Sequence, residues 1–310
     1  MAANVETMFS VREKPWHGLG TIVMDAPTSA DALRLAGLDW KVVQEPVYTG
    51  YNEIVKGYRA NVRSSDRKVL GVVSDRYKVV QNVDAFSFTD ELLEKGVRYE
   101  TAGSLQEGKK VWLLARLPRE YIIAGERISP YLVFSNTHDG SGSVKVAVTP
   151  VRVVCNNTLN LALDTARRSF SMIHTGNIHD KIQEAKDTLF MAEKYMDSLS
   201  IEFEQLRRQK VTDAQVKEYI ELLLQMEEDA TSIQRKNIIK LRKDMERRYY
   251  DAPDLQKVGN NAYRFINAVS DFATHSEPLR KTANYNENLF GRTIDGNPLI
   301  DKAYQLVKAA

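Results

Sequence analysis

A single cysteine, Cys155, stands in 310 residues, which excludes an intrachain disulfide and fits a reducing compartment. No apolar run approaches the roughly 18 residues of a membrane span, and the first residues lack the basic-then-apolar layout of a secretory signal. The expected location is cytoplasmic, with no membrane partner. Excess charge of one sign is also missing: 43 Lys and Arg oppose 41 Asp and Glu, a net +2, so any basic surface must be local. There is no Gly-rich phosphate loop of the P-loop or dinucleotide type, which disfavours nucleotide hydrolysis and nicotinamide chemistry. No paired carboxylates have a metal-nuclease layout, so no cofactor and no metal are expected.

What is there centres on residues 131–175. Leu132 and Phe134, then Val144, Val146 and Val148, alternate with polar or small residues, so two half-buried strands flank the polar turn HDGSGS at residues 138–143. Pro150 cannot donate to a ladder and should mark a corner or bulge, after which VRVVC resumes as a third strand. Asn156, Asn157 and Thr158 offer short side chains for a helix start. Leu159, Ala162, Leu163 and Ala166 then recur at helical spacing.

Four readings compete for this stretch. Lys145, Arg152, Arg167 and Arg168, with Asn156 and Asn157 at the helix start, can form a phosphate-binding surface, because helix N-termini present unpaired donors. Cys155 can be a nucleophile with His138 or His174 as its base, a thiol-hydrolase alternative to a nonenzymatic protein. His138, Asp139, Cys155, His174 and His179 can hold a metal, although no spacing matches a known ligand box. In the plain reading the turn, with Asn136, His138, Asp139 and Ser141 as its candidate site residues, is solvated and Cys155 is a small buried hydrophobe.

Four segments carry a resemblance: WHGLG at residues 16–20, YKVVQN at 77–82, NTHDGS at 136–141 and RVVCNNTL at 152–159. Together they resemble the DUF932, or phage/plasmid-like, family across nearly the whole chain. The resemblance implies an intracellular protein encoded by a phage, prophage or plasmid, acting in the host cytoplasm, where replication, recombination and counter-defence genes concentrate. It supplies no catalytic residues.

The flanking chain completes an α+β class: an N-terminal antiparallel or mixed sheet with flanking helices over residues 1–175, then a helical region over 176–310 packing on it. Residues 1–27 read as an arm anchored by Trp16. A short helix over 28–36, capped by Thr28 or Ser29 and stopped by Gly37, precedes strands at 40–47, 54–63 and 69–73, with 77–80 continuing that sheet. Asn82 or Asp84 opens a helix reaching residue 94. The pattern of three strands and a helix repeats loosely from residue 97, as an internal duplication would. Helices follow at 180–210, 212–228, 231–250 and 262–274, with a last one at 298–307.

Charge swings sharply between these helices. Residues 176–230 hold 13 Asp and Glu against 7 Lys and Arg, whereas 231–250 hold 7 Lys and Arg against 2 Asp and Glu. In the latter, Lys236, Lys240, Lys243 and Arg247 share one helix face, opposite Ile238, Leu241 and Met245. The stripe is either a solvated face paired with the acidic helix before it or a rail for phosphates. Tyr249 and Tyr250 either stack on bases or seal the helix end. The expected function is therefore a nonenzymatic nucleic-acid-binding protein of phage or plasmid recombination or replication, resembling single-strand annealing proteins, with single-stranded DNA as partner and a homo-oligomer as the assembly. The alternative is an interaction module acting on a host defence or replication protein.

Overall fold

The computed structural model describes residues 5–11, 21–25, 28–87, 90, 96–152, 157–158, 169–175, 178–277 and 297–309. The chain is α+β. In order, the strands are β1 (Val5–Val11), β2 (Thr21–Val23), β3 (Val42–Tyr48), β4 (Ile54–Arg63), β5 (Val69–Ser74), β6 (Arg98–Leu105), β7 (Lys110–Arg116), β8 (Tyr121–Ile123), β9 (Glu126–Thr137), β10 (Val144–Arg152), β11 (Asn157–Thr158) and β12 (Ser169–Met172). The helices are α1 (Ser29–Leu35), α2 (Asn82–Ser87), α3 (Ile178–Arg208), α4 (Asp213–Leu223), α5 (Ser232–Asp251), α6 (Ala262–His275) and α7 (Pro298–Lys308). Two compact units share them: one is Met1–Arg119, Tyr131–Val148 and Arg168–Ala192, the other Glu120–Pro130, Thr149–Arg167 and Glu193–Ala310.

The first unit has two sheets. In the larger, mixed one the strands run β10–β9–β7–β6–β1–β2, with β12 also on β10 and the β1–β2 pair parallel. Its core is legible as a cross-strand row: Phe9 pairs Ala102, Ala102 pairs Leu113 and Leu113 pairs Phe134, all four buried. Residues opposite one another share a face, so one apolar row ties four strands together. The second sheet is antiparallel, β3–β4–β5. The helix expected at residues 28–36 forms as α1, with Thr28 accepting from the Asp31 backbone and Gly37 left-handed at φ +64°.

Several expectations need correction. The N-terminal arm contains β1 and β2; β1 lies between β6 and β2, and Met8 and Phe9, which point to opposite faces, are both buried. Residues 77–80 do not extend the small sheet; the carbonyls of Tyr77, Lys78 and Val80 take side-chain donors, and the N–H groups of Tyr77 and Lys78 donate to the Ser74 and His174 carbonyls. From residue 97 the expected strands form as β6, β7 and β8, followed by the β9–β10 hairpin. Pro150 sits within β10, which therefore runs through the expected corner, as a strand can where the ladder needs no donor. Asn157 and Thr158 pair with Arg152 and Val151 as β11, and the helix expected after them lies outside the described residues.

The second unit contains β8 on the start of β9, β11 on the end of β10, and helices. Its centre is α6, where every residue from Ala262 to Ser270 is buried. Phe203 meets Tyr263 edge-on at 5.1 Å, and Tyr219 lies 5.4 Å from Phe265. Two T-x-x-Q segments explain where helices begin. Thr212 with Gln215, and Thr231 with Gln234, form reciprocal capping boxes for α4 and α5. Helix α4 stops at Leu223, short of the expected residue 228, and the carbonyls that follow are taken by arginines: Arg242 Nε donates to Leu224 O, Arg235 to Glu228 O and Ala230 O.

Candidate nucleic-acid interface

In the first unit the polar end of β9 is buried rather than solvated: Asn136 and His138 are fully enclosed, Asp139 is half-buried and only Ser141 of the candidate turn residues is exposed. The segment 77–82 wraps it. Tyr77 Oη donates to Thr137 O at 2.6 Å, Asn136 Nδ2 to Val80 O at 3.1 Å, and Asn61 Nδ2, from β4, to His138 O at 2.7 Å. Asn82 Nδ2 donates to Leu38 O, so its Oδ1 must accept, and His138 Nε2 is the donor at 3.0 Å. His174 Nδ1 donates to Lys78 O at 3.0 Å, and its ring stacks on Tyr77 at 4.3 Å. Gly71 of β5 is where the turn comes closest, since a Cβ there would stand 2.5 Å from Asp139 Cα.

The electrostatics follow from this enclosure. Burial pushes the His138 imidazole down to about 3, His174 adding to the effect and Asp139 opposing it. Burial also lowers His174, against the hydrogen bond to Lys78, and raises the Tyr77 phenol. Both imidazoles are neutral near pH 7. Two of the resembling motifs, 77–82 and 136–141, are thus one latch. His138, proposed as a base, has its Nε2 committed to Asn82; His138 Nδ1, His174 Nε2, Asn136 Oδ1 and Thr137 Oγ1 are buried without hydrogen-bond partners among the described residues. Cys155 lies outside the described residues, as does the side chain of His179. Among the described residues no three of His, Cys, Asp and Glu group as metal ligands.

The cations expected around the third strand are reached only in part. Lys145 is half-buried on β10, opposite Ser171 in register. Arg152 and Asn157 are register partners of β10 and β11, but their side chains, and Asn156, Arg167 and Arg168 entirely, lie outside the described residues.

Helix α5 of the second unit is described throughout. Lys236, Lys240, Lys243 and Arg247 are all exposed, while Met245 and Tyr249 are buried on the other side. Arg247 meets Asp244 at 3.0 Å in a surface pair worth little. The three lysines have no carboxylate partner among the described residues. The remaining arginines point elsewhere: Arg235 and Arg242 bind the backbone ahead of the helix, and Arg248 binds Asp244 and Asp271. The helix therefore separates its cations into forks fixed on carbonyls and carboxylates and a stripe of point charges facing water. Tyr249 lies under the Arg264 guanidinium at 4.9 Å, and Tyr250 Oη donates to Asp213 at 3.1 Å, so these tyrosines seal the helix end. What the sequence reading missed is a set of exposed tyrosines, Tyr48, Tyr51 and Tyr58, on β3, β4 and their turn.

A family model described as a domain of unknown function, DUF932, matches residues 69–291. No curated protein and no solved structure matches the chain. The matched span takes in the latch segments 77–82 and 136–141, the segment 152–159 and the α5 stripe. With the model covering well over half of its length, the chain belongs to the DUF932 family.

Proposed function

We propose that this protein is a nonenzymatic nucleic-acid-binding protein of phage or plasmid DNA recombination or replication, acting on single strands in the host cytoplasm as a homo-oligomer. The observation that carries the reading is the α5 stripe: three exposed lysines without carboxylate partners among the described residues, and Arg247 beside them. From Lys236 to Arg247 the helix rises about 16 Å, which spaces the four cations about 4–6 Å apart along its axis. Ammonium groups on flexible stems accept any backbone path, so the contact is independent of sequence, and its strength comes from release of counterions. Lys145, Arg152, Arg167 and Arg168, with Asn156 and Asn157, supply further phosphate contacts in this reading. A membrane role is not invoked; among the described residues no helix is long and apolar enough to cross one.

Fluorescence anisotropy with a labelled single-stranded oligonucleotide over a salt series tests the proposal. Binding that weakens with salt supports it. No binding even at low salt removes it, and capture of a stoichiometric host protein in place of nucleic acid would favour the interaction-module alternative.

A further inference from the structure

The β3–β4 hairpin outruns its sheet. β3 and β4 stay paired out to Tyr48 and Ile54, whereas β5 pairs β4 only from Val62 to Tyr58. Beyond Tyr58 the hairpin is a two-stranded ribbon, an element with no core of its own. Its turn is nonetheless closely built: Thr49 N donates to Glu53 O at 2.8 Å, Asn52 N to Thr49 O at 3.0 Å, and Thr49 Oγ1 accepts from the backbone N–H groups of Tyr51 and Glu53. This frame presents large side chains to water. Tyr51 is 93% exposed, Ile54 59%, Tyr48 54% and Tyr58 52%.

Cations accompany them. Lys56 on the ribbon and Arg59, which follows Tyr58 at the ribbon's base where β5 still pairs β4, are exposed and have no carboxylate partner among the described residues. Of the carboxylates between Val42 and Asp75, Glu45 pairs with Arg67 and Asp66 with Arg63, which leaves Glu53 and Asp75, the latter with its N–H on Gly57 O. Exposed rings interleaved with unpaired cations on a stiff ribbon complement a polyanion that offers flat faces.

We infer that this ribbon is a stacking platform for the unpaired bases of single-stranded nucleic acid, with Tyr48, Tyr51 and Tyr58 as the rings and Lys56 and Arg59 as phosphate contacts. The inference rests on the nucleic-acid reading above but concerns a different surface, in the other unit. Base faces are hidden in a duplex, so the platform discriminates single strands from paired ones. The α5 lysines contribute charge and the ribbon contributes rings.

The test measures full-length wild type, Tyr51→Ala, Tyr51→Phe and the triple variant Tyr48→Ala/Tyr51→Ala/Tyr58→Ala by anisotropy with an oligo-dT strand and a matched duplex. Tyr51→Ala should weaken binding to the strand about tenfold, and the triple variant by about a hundredfold or more. Tyr51→Phe should bind as wild type, because the ring is kept. The slope of affinity against salt should stay unchanged in all of them. Wild-type binding with an unaffected triple variant overturns the platform and leaves the α5 reading standing; no binding by wild type overturns both. If the triple variant instead changes the sedimentation coefficient while binding oligo-dT normally, the ribbon is a protein interface and the inference is wrong.

Discussion

His138 Nε2 stands 3.0 Å from Asn82 Oδ1, although 56 residues separate them, and both side chains are buried. The asparagine is held in turn by its donation to Leu38 O. The bond joins the end of β9 to the start of α2 and fixes which imidazole nitrogen carries the proton. Replacing Asn82 by Ala leaves the imidazole N–H and the Leu38 carbonyl buried without partners. The expected loss is about 2–6 kcal/mol, from about 1–3 kcal/mol for each of the two orphaned groups. Urea unfolding should show a lower midpoint with an unchanged slope; a shift worth less than about 0.5 kcal/mol would mean that the latch does not hold the hairpin.

Gly71 supplies a second check on the same junction. A methyl there would meet backbone atoms of Asp139, the nearest at 2.5 Å, and backbone cannot rotate away as a flexible side chain can. Gly71→Ala should therefore destabilise by about 1–3 kcal/mol, the usual range for overpacking. Thermal unfolding of the variant measures this. A melting temperature equal to that of wild type would show that β5 and the turn do not touch as described.

Acid should loosen the latch in a defined window. His138 titrates near 6.5 when unfolded and is pushed down to about 3 when folded, and His174 is lowered as well. The folded state thus binds fewer protons below pH 6.5. The stability from His138 is fully present above that pH and is lost progressively as pH falls toward 3, by up to about 1.4 kcal/mol per pH unit, and His174 acts in the same direction. Urea midpoints at pH 7.5 and 5.0 should differ accordingly, and His174→Gln should narrow the difference. Equal midpoints at the two pH values would contradict the burial of these rings.

How much of this the sequence carries depends on how local each feature is. The T-x-x-Q starts of α4 and α5, the strands at 42–48 and 54–63, and the α5 stripe need only neighbours a few residues away, and propensity and spacing locate them. β1 escapes because Met8 and Phe9 are both buried, which erases the two-residue alternation that reveals a strand with one wet face. Tyr77 to Val80 has strand composition, yet its groups bond residues near the end of β9, a pairing that no local pattern encodes. For the same reason Asn136 and His138 read as a solvated turn: their partners come from residues 61 to 82. The tyrosines of the ribbon look like ordinary strand residues until the structure shows Tyr48 and Tyr51 beyond the reach of β5, Tyr58 at its last pair, and all three exposed.

The α5 stripe gives the most direct measurement. Replacing Lys236, Lys240 and Lys243 together by Gln removes three exposed charges that have no carboxylate partner among the described residues, so stability should change by no more than about 0.5 kcal/mol at each site. In anisotropy with a single-stranded oligonucleotide, the four phosphate contacts along α5 should contribute about −3 to the wild-type slope of log affinity against log salt, and the triple variant should have a slope shallower by about 2. A folded variant with the same affinity and slope as wild type would contradict the assignment of this face to nucleic acid.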